Sequence, residues 1–140
     1  LQRYRRKLSK PIIDRIDIWT EVSKIDHDSL SKKSSCETSS VIKNRVENAR
    51  EKQRQRFKNL SHIRTNNDMG AKEIDSLVYL SPKVREQLNS SAKKLDLSAR
   101  GYHKIIKMMQ TIADLRESDQ IKQEHLMEAL QYRPKKSLFE

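Results

Sequence analysis

Arg15 is the residue whose type and position most clearly suggest chemistry. It stands between Asp14 and Asp17 in an otherwise apolar run that begins at Pro11. Because a guanidinium is costly to bury, it usually has a specific anionic partner, and one such partner is the phosphate of a nucleotide held by a neighbouring subunit. The alternative is a local ion pair with Asp14 or Asp17, which is awkward along a strand because adjacent side chains point to opposite faces.

The other chemistry-bearing residues do not form a recognisable enzyme site. The only glycines are Gly70 and Gly101, so a glycine-rich phosphate-binding loop is impossible in this sequence. The histidines lack metal-ligand spacing with one another or with Cys36, and we therefore expect no metal site. These histidines are His27, His62, His103 and His125. On its residues alone, the chain is not a complete enzyme.

Basic residues are concentrated in two segments of the 140-residue chain, whose formal net charge is +11. Residues 1–10 contain five basic residues and no acidic one, and residues 43–58 contain seven basic residues against Glu47 and Glu51. This distribution favours a polyanionic partner such as DNA, with a solvated helix face as the alternative. The candidates for nucleic-acid binding are Arg45, Arg50 and Arg54.

Composition indicates a helical protein with a modest core. Hydrophobic residues make up 34% and charged residues 35% of the chain, so most helices can bury only one face. Glycine and proline are scarce, which favours helices over an all-β sandwich. The single Cys36 suits a reducing cytoplasm, and no apolar run approaches the roughly 18 residues of a membrane span. We therefore expect a cytoplasmic protein without a membrane partner.

The first part of the chain is predicted to contain a remnant helix over residues 1–9, ended by Pro11, and then a strand. The strand prediction rests on a period of two, in which Ile16, Ile18 and Val22 alternate with Asp17, Trp19 and Glu21. A single strand needs sheet neighbours, and the sequence predicts no second strand. We therefore expect this strand to belong to a sheet encoded upstream or to pair with another chain.

After a polar linker over residues 23–37 the period changes to three and four, which predicts four to five helices. The first helix has Ile42, Val46, Ala49, Gln53, Phe57 and Leu60 on its apolar face. Ser81-Pro82 and Ser98 mark later helix starts, because serine accepts a free backbone N–H and proline suits the first turn. The predicted organisation is a core remnant with linker over residues 1–37, a helical domain over 38–133, and a disordered tail over 134–140.

Five stretches of the sequence resemble a single protein family in order and spacing. They are residues 3–18, 39–57, 97–105 (LSARGYHKI), 111–115 (TIADL) and 124–133, which ends in EALQYR. These motifs are similar to those of the Mg-chelatase-like AAA+ proteins of the ComM/YifB family, and they cover nearly the whole chain. The resemblance implies that the first part is the end of an AAA+ core and that the rest is a helical lid of the Mg-chelatase C-terminal type.

The resemblance also implies roles for two arginines. Arg15 matches the arginine finger, which would act in trans on the γ-phosphate in the next protomer. Arg100 matches the sensor-2 arginine, in the first turn after Ser98, where the helix N-terminus favours a bound phosphate. The alternative for Arg100 is an exposed first-turn arginine that the same dipole mildly disfavours. Surface or inter-subunit salt bridges are expected for Arg45, Arg50 and Arg56.

Two positions in the helical part depart from the family's motifs. Gly101 stands where the family usually has alanine, which weakens that helix start by up to about 1 kcal/mol. Lys122 stands where a threonine often caps the last helix. Neither departure affects the two arginines.

The family resemblance implies an ATP-dependent AAA+ motor. The full-length protein would bind ATP and Mg²⁺, assemble with identical protomers into a ring, expected to be a hexamer, and remodel DNA by branch migration in transformation and recombination. This chain alone lacks Walker A and B motifs, so we expect it to bind no cofactor and to be inactive. One alternative is a chelatase-type ATPase subunit that drives metal insertion, although the basic charge fits DNA better than a tetrapyrrole. Another is a non-enzymatic basic helical module that binds nucleic acid or protein.

Overall fold

The computed structural model describes residues 10–13, 15–24 and 36–134 of the chain. Within these residues the protein is helical and has no strand, which confirms the mainly α fold. The helices are α1 (Lys10–Ile13), α2 (Ser39–Phe57), α3 (Ala71–Leu77), α4 (Pro82–Lys94), α5 (Ala99–Leu115) and α6 (Gln123–Gln131), with a 3-10 turn at Asn66–Asp68. No helix in this part of the chain is long and apolar enough to cross a membrane.

Helix α5 lies at the centre of the core. It packs against α2, α3, α6 and the 3-10 turn. Its buried apolar residues are Ile105, Ile106, Met109, Ile112 and Ala113. On α6, Leu126 and Ala129 are fully buried against the same core. Because α5 contacts so much of the domain, its position is set by packing against several elements.

Local hydrogen bonds define where three helices begin. Ser81 Oγ accepts a hydrogen bond from Val84 N at 3.4 Å at the start of α4, and Ser98 Oγ accepts one from Gly101 N at 3.1 Å at the start of α5. Both starts were predicted from the sequence and are confirmed. At the start of α6, where Lys122 provides no cap, the side chain of His125 accepts the Lys122 backbone N–H at 3.1 Å.

The predicted apolar face of α2 is only partly buried. Ala49, Gln53 and Phe57 are buried, but Ile42 and Val46 are 46% and 39% exposed. Helix α2 packs against α5, but Asn48 already contacts Glu117, just beyond the last residue of α5, at 2.9 Å. The first turns of α2 therefore extend past the end of α5, which is why periodicity alone overestimated their burial.

The predicted strand over residues 12–22 is wrong within the described part of the chain. Lys10–Ile13 form one helical turn that includes Pro11, and residues 16–24 adopt no regular structure. Val22 is 89% exposed and Trp19 is half-buried, while Asp17 and Glu21 are exposed, so the predicted alternation of buried and exposed faces is absent. The physical reason is that a strand exists only through a ladder with a neighbour, and no described segment provides one. The remnant helix predicted over residues 1–9 lies outside the described residues, as do residues 135–140 of the predicted tail.

Candidate functional site

Arg100 lies in the first turn of α5, in the position predicted for it. Its side chain is exposed, and it forms no ion pair with any described residue. The Ser98 cap and the core packing of α5 fix the backbone beneath it. Such a helix start carries partial positive charge and free N–H groups, which favour an anion. The position is therefore suited to a phosphate.

Arg100 borders a cleft of about 420 Å³ between the start of α5 and the loop that leads into α3. His103, Lys104 and Lys107 follow it on the same side of the cleft, and Asp17 contributes an acidic group. Lys107 Nζ donates a hydrogen bond to Asn67 O at 2.8 Å. The cleft thus combines three cationic side chains with one carboxylate, which gives it a net positive character.

Arg15 lies in the turn that follows α1. Its backbone N–H donates to Ile12 O at 3.0 Å, and the next N–H, of Ile16, donates to Ile13 O at 3.2 Å. The Arg15 side chain is exposed and forms no ion pair within the described residues. Asp17, one of its two predicted local partners, instead lies 3.7 Å from Lys104 Nζ, and Asp14, the other, lies outside the described residues.

The structure does not bring Arg15 and Arg100 into one site. Arg15 does not line the Arg100 cleft, although Asp17, two residues later, does. This arrangement is compatible with two arginines that face two different ligands. Their predicted roles stay predictions.

Arg45, Arg50 and Arg54 do not form a single patch on α2. Arg45 pairs with Glu37, and Arg54 Nη2 lies 2.6 Å from Glu51. Because successive residues of a helix are about 100° apart, Arg50 and Arg54 lie together on one flank of the buried face of α2, whereas Arg45 lies about 140° away from Arg50, on the other flank. All three are exposed, but two of the three charges are partly neutralised.

Arg56 was expected to form a surface or inter-subunit salt bridge, and that expectation is wrong. Its guanidinium makes a bidentate contact with Asp114 on α5, at 2.9 Å to one oxygen and 2.5 Å to the other. The Arg56 side chain is 19% exposed and that of Asp114 only 1%. Arg56 therefore links α2 to α5 within one chain, because its position on the packed side of α2 turns it towards α5.

Amide side chains complete this buried polar cluster. Asn66 Nδ2 donates to Asp114 at 2.8 Å, and Gln110 Nε2 donates to the same carboxylate at 3.2 Å. Asn66 N donates to Gln53 Oε1 at 3.0 Å. A signal for this cluster was present in the sequence, since Asp114 follows buried apolar positions of α5 and a buried carboxylate needs a partner. The cluster links α2, the 3-10 turn and α5.

His125 is fully buried at the start of α6. Burial lowers its pKa, and the charges of Arg116 and Lys122 lower it further, while Glu124 and Glu128 oppose the change. Its ring is therefore neutral near pH 7, with Nδ1 as the acceptor for Lys122 N–H. Among the described residues, no group of three or more metal-binding side chains occurs.

Comparisons with known proteins support one family. The profile of the family described as magnesium chelatase, subunit ChlI C-terminal, matches residues 36–133. The chain is 37% identical over 134 residues to the competence protein ComM of Haemophilus influenzae. This alignment covers 95% of this chain and 25% of that protein. It is 35% identical over 132 residues to the uncharacterized protein YifB of Salmonella typhimurium and to that of Escherichia coli, each covering 94% of this chain and 25% of the relative. The chain thus spans about a quarter of the length of these relatives. From these matches, together with the helical fold, the chain belongs to the magnesium chelatase, subunit ChlI C-terminal family, and resembles the ComM and YifB proteins over nearly its whole length.

Proposed function

We propose that this chain forms the lid portion of an ATP-dependent AAA+ ring motor, with Arg15 as the arginine finger and Arg100 as the sensor-2 arginine. The observation that carries the proposal is that both guanidiniums are exposed and unpaired within the described residues, on backbone that is held in place. An arginine that binds a phosphate must have no competing ion pair before the nucleotide binds. The two positions meet this requirement.

In this proposal, ATP and Mg²⁺ are bound by core residues of a longer protein, and the ring, a hexamer of identical protomers, works in the cytoplasm. ATP supplies the phosphoryl group that is transferred to water. Arg100 contacts a phosphate within its own protomer, where the start of α5 adds positive potential. Arg15 reaches the γ-phosphate of the next protomer and stabilises the charge that spreads over its oxygens in the transition state.

Arg15→Ala in the full-length protein tests the finger. We expect ATP hydrolysis to fall by about 10³–10⁵-fold, because a finger acts mainly in the transition state, while ATP binding is retained. Arg85→Ala is the matched control, since Arg85 is an exposed arginine on α4, and it should leave hydrolysis unchanged. Unchanged hydrolysis in Arg15→Ala, or loss of ATP binding, would contradict this role.

Arg100→Ala tests the lid arginine separately. We expect weaker ATP binding and weaker coupling between nucleotide and lid position, because a phosphate contact within the same protomer is lost. Equilibrium binding of a fluorescent ATP analogue would measure the first effect. ATP binding and hydrolysis identical to those of the unmodified protein would remove Arg100 from the site.

The proposal extends to DNA as the substrate on which the motor acts. The basic composition supports this, and the relative from Haemophilus influenzae is named a competence protein, which fits a role in transformation and recombination. Branch migration is the activity that we propose. Arg50 and Arg54 are exposed and lie one turn apart on the same side of α2, so of the three candidate arginines they are the pair that could contact one duplex together.

A salt titration of DNA binding tests this part. Each lost phosphate contact should reduce the slope of log K against log [salt] by about 0.9. We expect the triple variant Arg45→Ala/Arg50→Ala/Arg54→Ala to have a smaller slope than the unmodified protein. The matched control replaces the three exposed lysines of α4, namely Lys83, Lys93 and Lys94. Equal losses in both triple variants would indicate a general charge effect rather than contacts by α2.

A further inference from the structure

Lys104 connects the helix that carries Arg100 to the backbone beside Arg15. Its Nζ donates a hydrogen bond to Ile16 O at 2.8 Å and lies 3.7 Å from Asp17 Oδ1. The Lys104 side chain is only 18% exposed, so this contact is partly shielded from water. Lys104 is one helical turn after Arg100, and residues four apart lie on the same helix face. Arg100 and Lys104 therefore lie on a single face of α5. On this face Arg100 borders the cleft, and Lys104 contacts the segment that follows Arg15.

A second contact holds the same segment against the helical domain. Trp19 N donates to Tyr132 O, at the end of α6, at 2.9 Å. Together the two contacts bracket the segment, at Ile16 on one side and at Trp19 on the other. Residues 16–19 lack regular structure, and their position therefore depends on contacts with other elements, including these two with α5 and α6. The Arg15 backbone, one residue before Ile16, should accordingly move with α5.

We infer that Lys104 is a positioning residue that couples the nucleotide contact of Arg100 to the placement of Arg15 in the neighbouring protomer's site. This rests on the proposed function. When Arg100 binds a phosphate, α5 adopts the position set by that contact, and Lys104 carries the Ile16 carbonyl with it. A charge-assisted hydrogen bond is short and strong enough for this purpose. Lys104 lines the Arg100 cleft, but its Nζ is engaged by Ile16 O and lies near Asp17, so the role inferred for it is positioning and not contact with a nucleotide.

The test uses mixed rings of the full-length protein. Acceptor protomers carry Arg15→Ala and an intact nucleotide site, so they hydrolyse ATP only with a finger from a neighbour. Donor protomers carry a core substitution that permits ATP binding but blocks its hydrolysis, and they retain Arg15, so their Arg100 can still contact a phosphate while all measured hydrolysis occurs in the acceptors. Donors with Lys104 should restore hydrolysis. Donors with Lys104→Met should restore about tenfold less, the effect of losing one hydrogen bond from a charged group, with the KM for ATP of the acceptor sites unchanged.

Two further donors separate positioning from folding. Lys104→Arg keeps a cationic donor and should restore hydrolysis to near the unmodified level. Asp17→Asn removes the longer ion pair but keeps the carbonyl contact, so it should also restore most of the activity. Ring assembly and melting temperature of each donor, measured alone, show whether it is folded.

The outcomes are distinguishable. If donors with Lys104 fail to restore hydrolysis, Arg15 does not act in trans, and the proposed function falls together with the inference that rests on it. If those donors succeed and folded Lys104→Met donors restore hydrolysis equally well, the finger stands and the coupling role of Lys104 is overturned. If Lys104→Met donors do not fold, Lys104→Leu, which also lacks a hydrogen-bond donor, takes their place, and full restoration by it would likewise overturn the role.

Discussion

Replacing Asp114 with alanine should lower the free energy of unfolding of this chain by about 3–5 kcal/mol. The Asp114 carboxylate is buried and accepts hydrogen bonds from Arg56, Asn66 and Gln110. Its removal leaves the Arg56 guanidinium largely buried without a counter-charge, which is the costly way to break a buried pair. Because domains of this size unfold with about 5–15 kcal/mol, the substitution should remove a large part of the stability.

Urea and thermal unfolding, followed by far-ultraviolet circular dichroism, measure the effect. For a domain of about 100 residues, 1 kcal/mol shifts the melting temperature by about 4–8 °C, so we expect a decrease of at least about 12 °C. The control is Arg54→Ala, which breaks the exposed pair with Glu51 on the same helix and should cost less than about 1 kcal/mol. A cost for Asp114→Ala no larger than that of the control would refute the reasoning.

A double-mutant cycle separates the ion pair from its neighbours. Arg56→Met keeps much of the side-chain volume and removes the charge, and its combination with Asp114→Ala should cost less than the sum of the two single changes. We expect a coupling energy above about 1 kcal/mol, because the residues are in direct contact. Strict additivity would mean that the amide bonds of Asn66 and Gln110, rather than the ion pair, account for the loss.

Three further predictions concern helix starts. Burial lowers the pKa of His125, so the unfolded chain binds more protons below about pH 6.5 and stability should fall as the pH decreases through that value. His125→Gln keeps an acceptor for Lys122 N–H and should reduce this pH dependence of the urea midpoint; an unchanged dependence would point to other groups. Gly101→Ala should raise the free energy of unfolding by up to about 1 kcal/mol, because an added Cβ would meet its nearest neighbour, Ser98 Oγ, at an ordinary 3.4 Å; a lower melting temperature would show that the site requires glycine. Ser98→Ala should cost about 1 kcal/mol through loss of the cap, whereas Ser90→Ala, at an exposed position, should cost almost nothing; equal melting temperatures would show that the cap contributes little.

Features that depend on near neighbours in sequence were predictable. The starts of α4 and α5 follow from Ser81-Pro82 and Ser98, because a cap involves only residues three positions apart. The helical class followed from periodicity and from the scarcity of glycine and proline. Arg100 was placed correctly in the first turn of α5 for the same local reason.

Features that depend on distant partners were not predictable. The alternation of Ile16, Ile18 and Val22 satisfies the rule for a strand, but nothing in a pattern shows whether a neighbouring strand is present. Periodicity placed Ile42 on an apolar face without showing that α2 extends beyond α5. The contact of Lys104 with Ile16 spans 88 positions and has no local signature.

The bidentate contact between Arg56 and Asp114 has a consequence for how α2 can move along α5. Apolar contacts tolerate sliding, because one methyl group can replace another, but a displacement by one turn, about 5.4 Å, would separate this ion pair completely. We therefore expect only one stable register between the two helices. If a force is applied at one end of the helical domain, we therefore expect α2 and α5 to move together as one rigid body, without sliding along each other.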